Sequence, residues 1–211
     1  IRVYKNNNTD IHSLSDNTIS CLFEDRDHGI WIGTFAGGVS YYMSGRKKFH
    51  TVKHNPYNMN SLSNNVVNCF LEDDEFLWVG TEKGLNRYNT STNKIVHYFF
   101  EPTRIGSLGA DGVISLLKDS RGNLWIGTWN GGLNLYDYRQ NKFKCFKHDN
   151  SRTGTLCSNH VFALLEDKAG NLWIGTDGGG LAQYNYVTGN FSCFTHDPDN
   201  PESISHNAVN D

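Results

Sequence analysis

Gly122-Asn123-Leu124-Trp125-Ile126-Gly127-Thr128, continued by Trp129-Asn130-Gly131-Gly132-Leu133, is the stretch that decides the fold, because the chain repeats it. Its counterparts are Ile30-Trp31-Ile32-Gly33-Thr34, Leu77-Trp78-Val79-Gly80-Thr81 and Leu172-Trp173-Ile174-Gly175-Thr176, which set the tryptophans 47, 47 and 48 residues apart. A period of about 40 to 50 residues marks a stacked array in which each unit cannot bury its faces alone. The repeated stretch is short, aromatic and β-branched, and Gly and Asn flank it, so it predicts a strand between turns. Helix has little to build on: six alanines occur in 211 residues, and no segment keeps helical apolar spacing over three turns. About four strands of 5 or 6 residues, with their turns, fill one such period, which describes a β-propeller blade.

Working outward from the four tryptophans divides the chain. Residues 1–12 read as the outer strand of a preceding blade, 13–60, 61–106, 107–154 and 155–202 as blades one to four, and 203–211 as the inner strand of a following blade. First strands are expected at 19–23, 67–71, 113–117 and 161–165, and fourth strands at 49–52, 96–99, 143–146 and 191–194. Third strands end near Tyr42, Tyr88, Tyr136 and Tyr184, followed by polar turns such as Ser44-Gly45-Arg46. The fold expected is all-β: four complete four-stranded blades forming an arc of a larger β-propeller, with a closed four-bladed ring as the alternative. The chain reads as an excised piece, with apolar blade faces at both ends.

Residues that recur in every blade are assigned to the scaffold. Trp31, Trp78, Trp125 and Trp173 are its staples, each able to bury about 150 to 250 Å². Gly33, Gly80, Gly127 and Gly175 follow two residues later, where a missing side chain admits a close neighbour. Asp25, Asp73, Asp119 and Asp167 recur in a turn and are read as turn formers rather than as calcium or catalytic carboxylates. His54, His148 and His196 open three blade-to-blade connections, where blade two has Glu101, and are read as turn or capping residues rather than metal ligands. Of five cysteines, Cys21 and Cys69 share a repeat position with Ser115 and Ala163, and Cys145 and Cys193 share another. All four are expected to pack as small apolar side chains, with Cys157 left over in a connection.

Nineteen basic and 22 acidic residues are well mixed, so no basic stripe for nucleic acid or an anionic membrane is present. Apolar runs are too short for a membrane-spanning helix, and no signal-peptide pattern occurs. No cofactor or metal site is expected.

The pattern Ser-Leu-Ser-x-Asn-x-Val followed by Asp-x-x-Gly-Asn-Leu-Trp-Ile-Gly-Thr-x-x-Gly-Gly-Leu closely resembles the two-component regulator propeller repeat. Blade two departs from it by one residue in each of two turns, Asp73-Asp74-Glu75-Phe76-Leu77 and Thr81-Glu82-Lys83-Gly84. The resemblance implies the periplasmic sensor region of a hybrid two-component system histidine kinase and response regulator, commonly built from seven-bladed propellers. It implies an oligosaccharide ligand, control of polysaccharide use, the remaining blades and signalling domains of a parent chain as partners, and a homodimer as a further partner state.

Non-repeating residues in the loops are then the candidates for ligand contact. From the turns between second and third strands come Phe35, Glu82, Trp129 and Asp177; from the connections come Tyr57, Arg104, Arg152 and His160. The two loop sets are expected on one face around a central channel. Trp129 lies outside the repeated tryptophan register and offers a ring for stacking on a sugar. Two alternatives stand beside sensing. One is a scaffold or dimerising propeller using Phe35 and Trp129. The other is an enzyme resembling propeller lyases that open cyclic peptide antibiotics, for which Glu82 and His160 are the available acid and base.

Overall fold

The computed structural model describes residues 2–43 and 48–211; Ile1 and the expected turn Ser44-Gly45-Arg46 lie outside the described residues. The chain divides into two compact units, Ile1–Tyr98 and Phe99–Asp211.

In the first unit, β1 (Ile19–Glu24), β2 (Ile30–Thr34), β3 (Val39–Tyr42) and β4 (Phe49–Val52) make one antiparallel sheet in sequence order. A second sheet follows from β5 (Val67–Asp73), β6 (Phe76–Thr81), β7 (Gly84–Asn89) and β8 (Lys94–Tyr98). The second unit repeats the plan with β9 (Val113–Lys118), β10 (Leu124–Thr128), β11 (Gly132–Asp137) and β12 (Lys142–Phe146), then β13 (Val161–Glu166), β14 (Leu172–Thr176), β15 (Leu181–Tyr184) and β16 (Phe191–Phe194). These are four propeller blades, as the repeat requires. Blade two absorbs its shortened turns as tight hairpins, with Asp74 at φ 54° and Gly84 at φ 104°.

Register explains the small residues. Gly33, Gly80, Gly127 and Gly175 stand opposite Cys21, Cys69, Ser115 and Ala163. A Cβ on Gly127 would overlap the Ser115 hydroxyl and come within 2.7 Å of Val161 Cγ1 on the next blade. The same position at Gly33 would bring Val67 of the next blade to 2.9 Å. Gly33 and Gly127 are therefore where the following blade's first strand closes down, and only a small partner fits beneath them.

The cores lie between adjacent blades within each unit. Trp31 packs with Val67, Leu77, Val79 and Tyr88 of blade two, and Trp125 with Val161, Leu172, Ile174 and Phe191 of blade four. Trp78 and Trp125 are fully buried and Trp31 nearly so, whereas Trp173 is half-buried.

Three polar contacts recur and account for most repeat-wide polar residues. Each tryptophan indole donates to the turn aspartate: Trp31 to Asp25 at 2.8 Å, Trp78 to Asp73 at 3.2 Å, Trp125 to Asp119 at 2.8 Å and Trp173 to Asp167 at 2.9 Å. Thr34, Thr81, Thr128 and Thr176 each donate to the glycine carbonyl across the next hairpin at 2.8 Å. Asn17, Asn65, Asp111, Asn159 and Asn207 accept the backbone N–H of Asn6, His54, Phe100, His148 and His196. The Nδ1 atoms of His54, His148 and His196 also donate to the carbonyls of Leu62, Leu156 and Ile204, which fixes their tautomer and leaves them as clamps.

Four expectations need correction. The residue of blade two that corresponds to those histidines is Phe100, not Glu101. For the same one-residue reason the fourth strand of blade two starts at Lys94 and ends at Tyr98, earlier than 96–99, because the run Tyr98-Phe99-Phe100 has no apolar alternation to mark its register. Residues 2–12 and 203–211 form no strand, since a ladder needs a partner and neither segment finds one among the described residues. Residues 203–211 nevertheless follow the entry path seen in other blades, with Gly180 N–H bonding Asn207 O and Val209 N–H bonding Thr176 O.

The fourth concerns cysteine. Cys193 is not a packed free thiol: it forms a disulfide with Cys157, with Cα atoms 5.8 Å apart. The connection entering each blade runs along that blade's fourth strand, where Cys145 Sγ meets Ser107 O and Cys193 Sγ meets Thr155 O. Blade four has a cysteine on both sides of this seam, while blade three has Gly109 at the position of Cys157 and leaves Cys145 free and exposed. Cys21 and Cys69 are half-buried, and burial pushes the Cys21 thiol up to about 12.

Candidate functional site

The β10–β11 turn is held at three points. Thr128 Oγ1 donates to Gly132 O, Trp129 N–H bonds Gly112 O at 2.8 Å, and Asn130 takes φ 67°. Those constraints leave the Trp129 side chain outside the blade core, and it is 47% exposed. Its indole lies flat on the imidazole of His160, with centroids 4.6 Å apart and planes 7° from parallel. Phe162, on β13, meets the indole edge-on at 5.4 Å.

His160 is the residue just before β13. Its N–H bonds Ser158 Oγ, and its carbonyl accepts the N–H of Asp177 at 3.0 Å, tying the β14–β15 turn alongside. Blade three thus supplies a ring, and blade four supplies a second ring beneath it, a third at its edge and the backbone of Asp177 alongside. An exposed indole backed by an imidazole can stack on the C–H face of a sugar.

The other turn residues hold matching backbone positions. Phe35 N–H bonds Thr18 O and its ring is 61% exposed, but the positions of His160 and Phe162 are there Val66 and Asn68, so that turn has no aromatic floor. Glu82 N–H bonds Val66 O, and its carboxylate accepts from Asn68 at 3.4 Å. Phe162 went unnoticed in the sequence because it sits within an apolar strand; its counterparts Ser20, Asn68 and Ile114 show that the position follows no repeat rule.

Tyr57, Arg104 and Arg152 do not sit at inner-strand turns. Each lies in the first turn of a connection, closed by Asn58 to Asn55, Arg104 to Glu101 and Arg152 to Asp149. Immediately afterwards the connection touches the start of an outermost strand, through Ile95 to Asn60, Phe143 to Gly106 and Phe191 to Gly154. Tyr57 is almost wholly exposed, and the Arg104 guanidinium pairs with Glu101 at 2.9 Å. Among the connection residues, His160 alone is joined to a turn candidate. Glu82 and His160, the acid and base of the lyase alternative, belong to different units. Among the described residues no group of three or more His, Cys, Asp or Glu side chains is arranged to hold a metal ion.

Comparison with known proteins bears on the repeat and the fold. The two-component regulator propeller family matches at residues 13–36, 61–83, 107–130 and 155–178, one match per blade. No curated protein sequence matches the chain. Among solved structures, the extracellular domain assigned to hybrid two-component system BT3049 of B. thetaiotaomicron is similar over 97% of this chain and 32% of its own, with TM-score 0.75 and 22% identity. A catalytically inactive virginiamycin B lyase from Staphylococcus aureus is similar over 89% of this chain and 59% of its own, with TM-score 0.63 and 14% identity. PorZ of Porphyromonas gingivalis, a surface component of the type-IX secretion system, is similar over 92% and 29%, with TM-score 0.59 and 15% identity. The chain spans about a third of the length of the two-component relative, and at these identities the likeness shows a propeller fold and nothing finer. The same segment is matched in every blade, so each of the four blades carries a stretch that matches the two-component regulator propeller repeat.

Proposed function

We propose that this chain is part of the extracytoplasmic sensor of a hybrid two-component system, that its blades belong to a larger propeller, and that the ligand is an oligosaccharide whose binding controls polysaccharide use through a histidine kinase in the same polypeptide. The observation that carries the reading is the Trp129–His160–Phe162 stack beside Asp177. The repeat framework requires none of its three rings, and Phe35, the other ring on these turns, has no aromatic floor. The Cys157–Cys193 disulfide supports an oxidising compartment outside the cytoplasm.

The test is calorimetry of neutral and acidic di- to hexasaccharides against the complete parent sensor and its Trp129→Ala variant. A ligand whose binding weakens by about 1 to 2 kcal/mol or more, with the melting temperature unchanged, supports the reading. Unchanged binding moves the ligand site elsewhere in the parent. If in addition the parent dimerises and Phe35→Ala with Trp129→Ala dissociates it, these exposed rings serve the scaffold or dimer alternative.

A further inference from the structure

Between blades three and four, a tyrosine of the chain fills a space that no described residue fills between blades one and two. Tyr186, two residues after β15, lies against Tyr184 with centroids 5.1 Å apart and edge-on to Trp125 at 6.4 Å. The Arg121 guanidinium covers its ring at 4.0 Å, and its hydroxyl donates to Asp119 Oδ2 at 2.9 Å. The same Oδ2 also accepts from Trp125 and from the Asn123 amide, so it has three donors.

Strand register places Tyr88 of blade two at the position of Tyr184, because each stands opposite the leucine before the blade tryptophan. Two residues on from Tyr88 the chain has Thr90 in place of Tyr186, and around Asp25 it has Asp27 and Gly29 in place of Arg121 and Asn123. Asp25 Oδ1 is occupied by the N–H groups of Asp27 and Gly29. Among the described residues, Trp31 is the sole donor to Asp25 Oδ2. The result is a cleft of about 580 Å³ walled by Trp31, Tyr41, Phe76 and Tyr88, with Asp25 and Thr90 in its lining. That volume lies in the range of small-molecule sites, about 300 to 1,000 Å³.

Its charge differs from that of the filled space. Asp27, Glu72, Asp74 and Glu75 also line it, and among the described residues of the lining His50 alone can carry positive charge. Arg26 lies outside the lining and is engaged by Glu72 at 2.8 Å and by the Asp74 carbonyl. Blade four has Lys168 where blade two has Asp74, and blade three has Arg121 where blade one has Asp27. Carboxylates beside aromatic faces repel an anion and attract an ammonium group.

We propose that this cleft binds a small hydroxyl-bearing ring that is uncharged or cationic, with its hydroxyl donating to Asp25 Oδ2 as Tyr186 donates to Asp119. The ring would rest against Tyr41 and Phe76, the partly exposed rings of the lining, and an amine on it would face the carboxylates at the rim. Acidic rings, including uronates and sulfated sugars, are excluded by the same lining.

The experiment titrates the whole chain with tyramine, a phenol carrying an ammonium group, by calorimetry and tryptophan fluorescence. Phenethylamine lacks the hydroxyl, and 3-(4-hydroxyphenyl)propionate replaces the cation with an anion; each should bind at least tenfold more weakly. D-glucosamine tests a sugar ring as the source of the same chemistry: comparable binding assigns a sugar, and binding of tyramine alone assigns a phenol. Thr90→Tyr should fill the cleft from within, weaken tyramine at least tenfold and raise the melting temperature. Trp129→Ala should leave tyramine binding unchanged, which separates this cleft from the Trp129 stack. Absence of binding by both tyramine and glucosamine, equal binding of the anionic phenol, or binding indifferent to Thr90→Tyr overturns the proposal.

Discussion

The Tyr186 hydroxyl donates to Asp119 Oδ2 at 2.9 Å, so a residue of blade four completes the polar clamp on the tryptophan of blade three. Burial, then the hydrogen bond to Asp119, pushes the Tyr186 phenol well above its usual value. Tyr186→Phe keeps the ring packing and removes that bond. The expected cost is roughly 1 to 2 kcal/mol, at the low end for a bond to a charged group because the site is partly open. Urea titration should show a lower midpoint with an unchanged slope; an unaltered midpoint would mean the bond contributes nothing net.

Acid should weaken the fold through the aspartates that hold the tryptophans. Burial pushes the Asp119 carboxyl up, but hydrogen bonds from Trp125, Asn123 and Tyr186 outweigh it and leave it below the ordinary value. Asp167 is held well below that value by donation from Trp173 and Asn171. A carboxylate depressed in the folded state adds stability above its unfolded pKa, about 3.9, and that stability is lost as pH falls through the folded value. Melting temperature should therefore be flat in these groups above about pH 5 and fall steeply below about pH 4. Asp119→Asn should melt lower at neutral pH and show a shallower acid limb; an acid limb identical to that of the parent chain would remove Asp119 from the account.

Reduction should destabilise the second unit. The disulfide joins residues 36 apart, and closing a loop of that size stabilises by about 2 to 4 kcal/mol. Cys157→Ser and Cys193→Ser should each lower the melting temperature to the level reached with reductant, while Cys145→Ser should leave it near that of the parent chain. Thiol titration of the unfolded, unreduced chain should find the three free cysteines, Cys21, Cys69 and Cys145. Five reactive thiols would show that the bond does not form.

Gly127→Ala should be costly for a residue that merely gains a methyl group. The added Cβ would overlap Ser115 Oγ and press on Val161 Cγ1 at 2.7 Å and Val161 O at 3.1 Å. Overpacking of this kind costs about 1 to 3 kcal/mol. Gly122→Ala is the control for space, since nothing lies within 4 Å of its Cβ, though its φ of 81° still disfavours a side chain. Denaturation midpoints should fall further for Gly127→Ala than for Gly122→Ala; the reverse order would argue against close approach of the next blade at Gly127.

Most of the scaffold was legible because its rules repeat. The Asp–Trp spacing is readable at once, yet its meaning was only half available: a turn aspartate explains Asp119 without revealing that the carboxylate reaches the indole six residues on. Cysteine shows the limit more sharply. Repeat alignment places Cys193 with Cys145, and nothing in the spacing tells that Cys157 crosses the same strand three-dimensionally beside it. The candidate residues divided for a similar reason, since loop membership does not say which end of which strand a loop rests on. His160 joins Trp129, while Arg104 and Arg152 turn away at outermost strands.

The sequence by itself determined the number of blades, their strands and the repeated residues that lock them, because period, alternation and turn chemistry are local properties that each copy states again. Tertiary structure decided which single residues meet across a blade boundary. The stack of Trp129 on His160, the disulfide of Cys157 with Cys193, and the Tyr186 ring that leaves its counterpart space open at Thr90 each join residues that local patterns do not relate. Such pairings depend on how one blade's face is laid against the next, which is set by packing of side chains far apart in the chain.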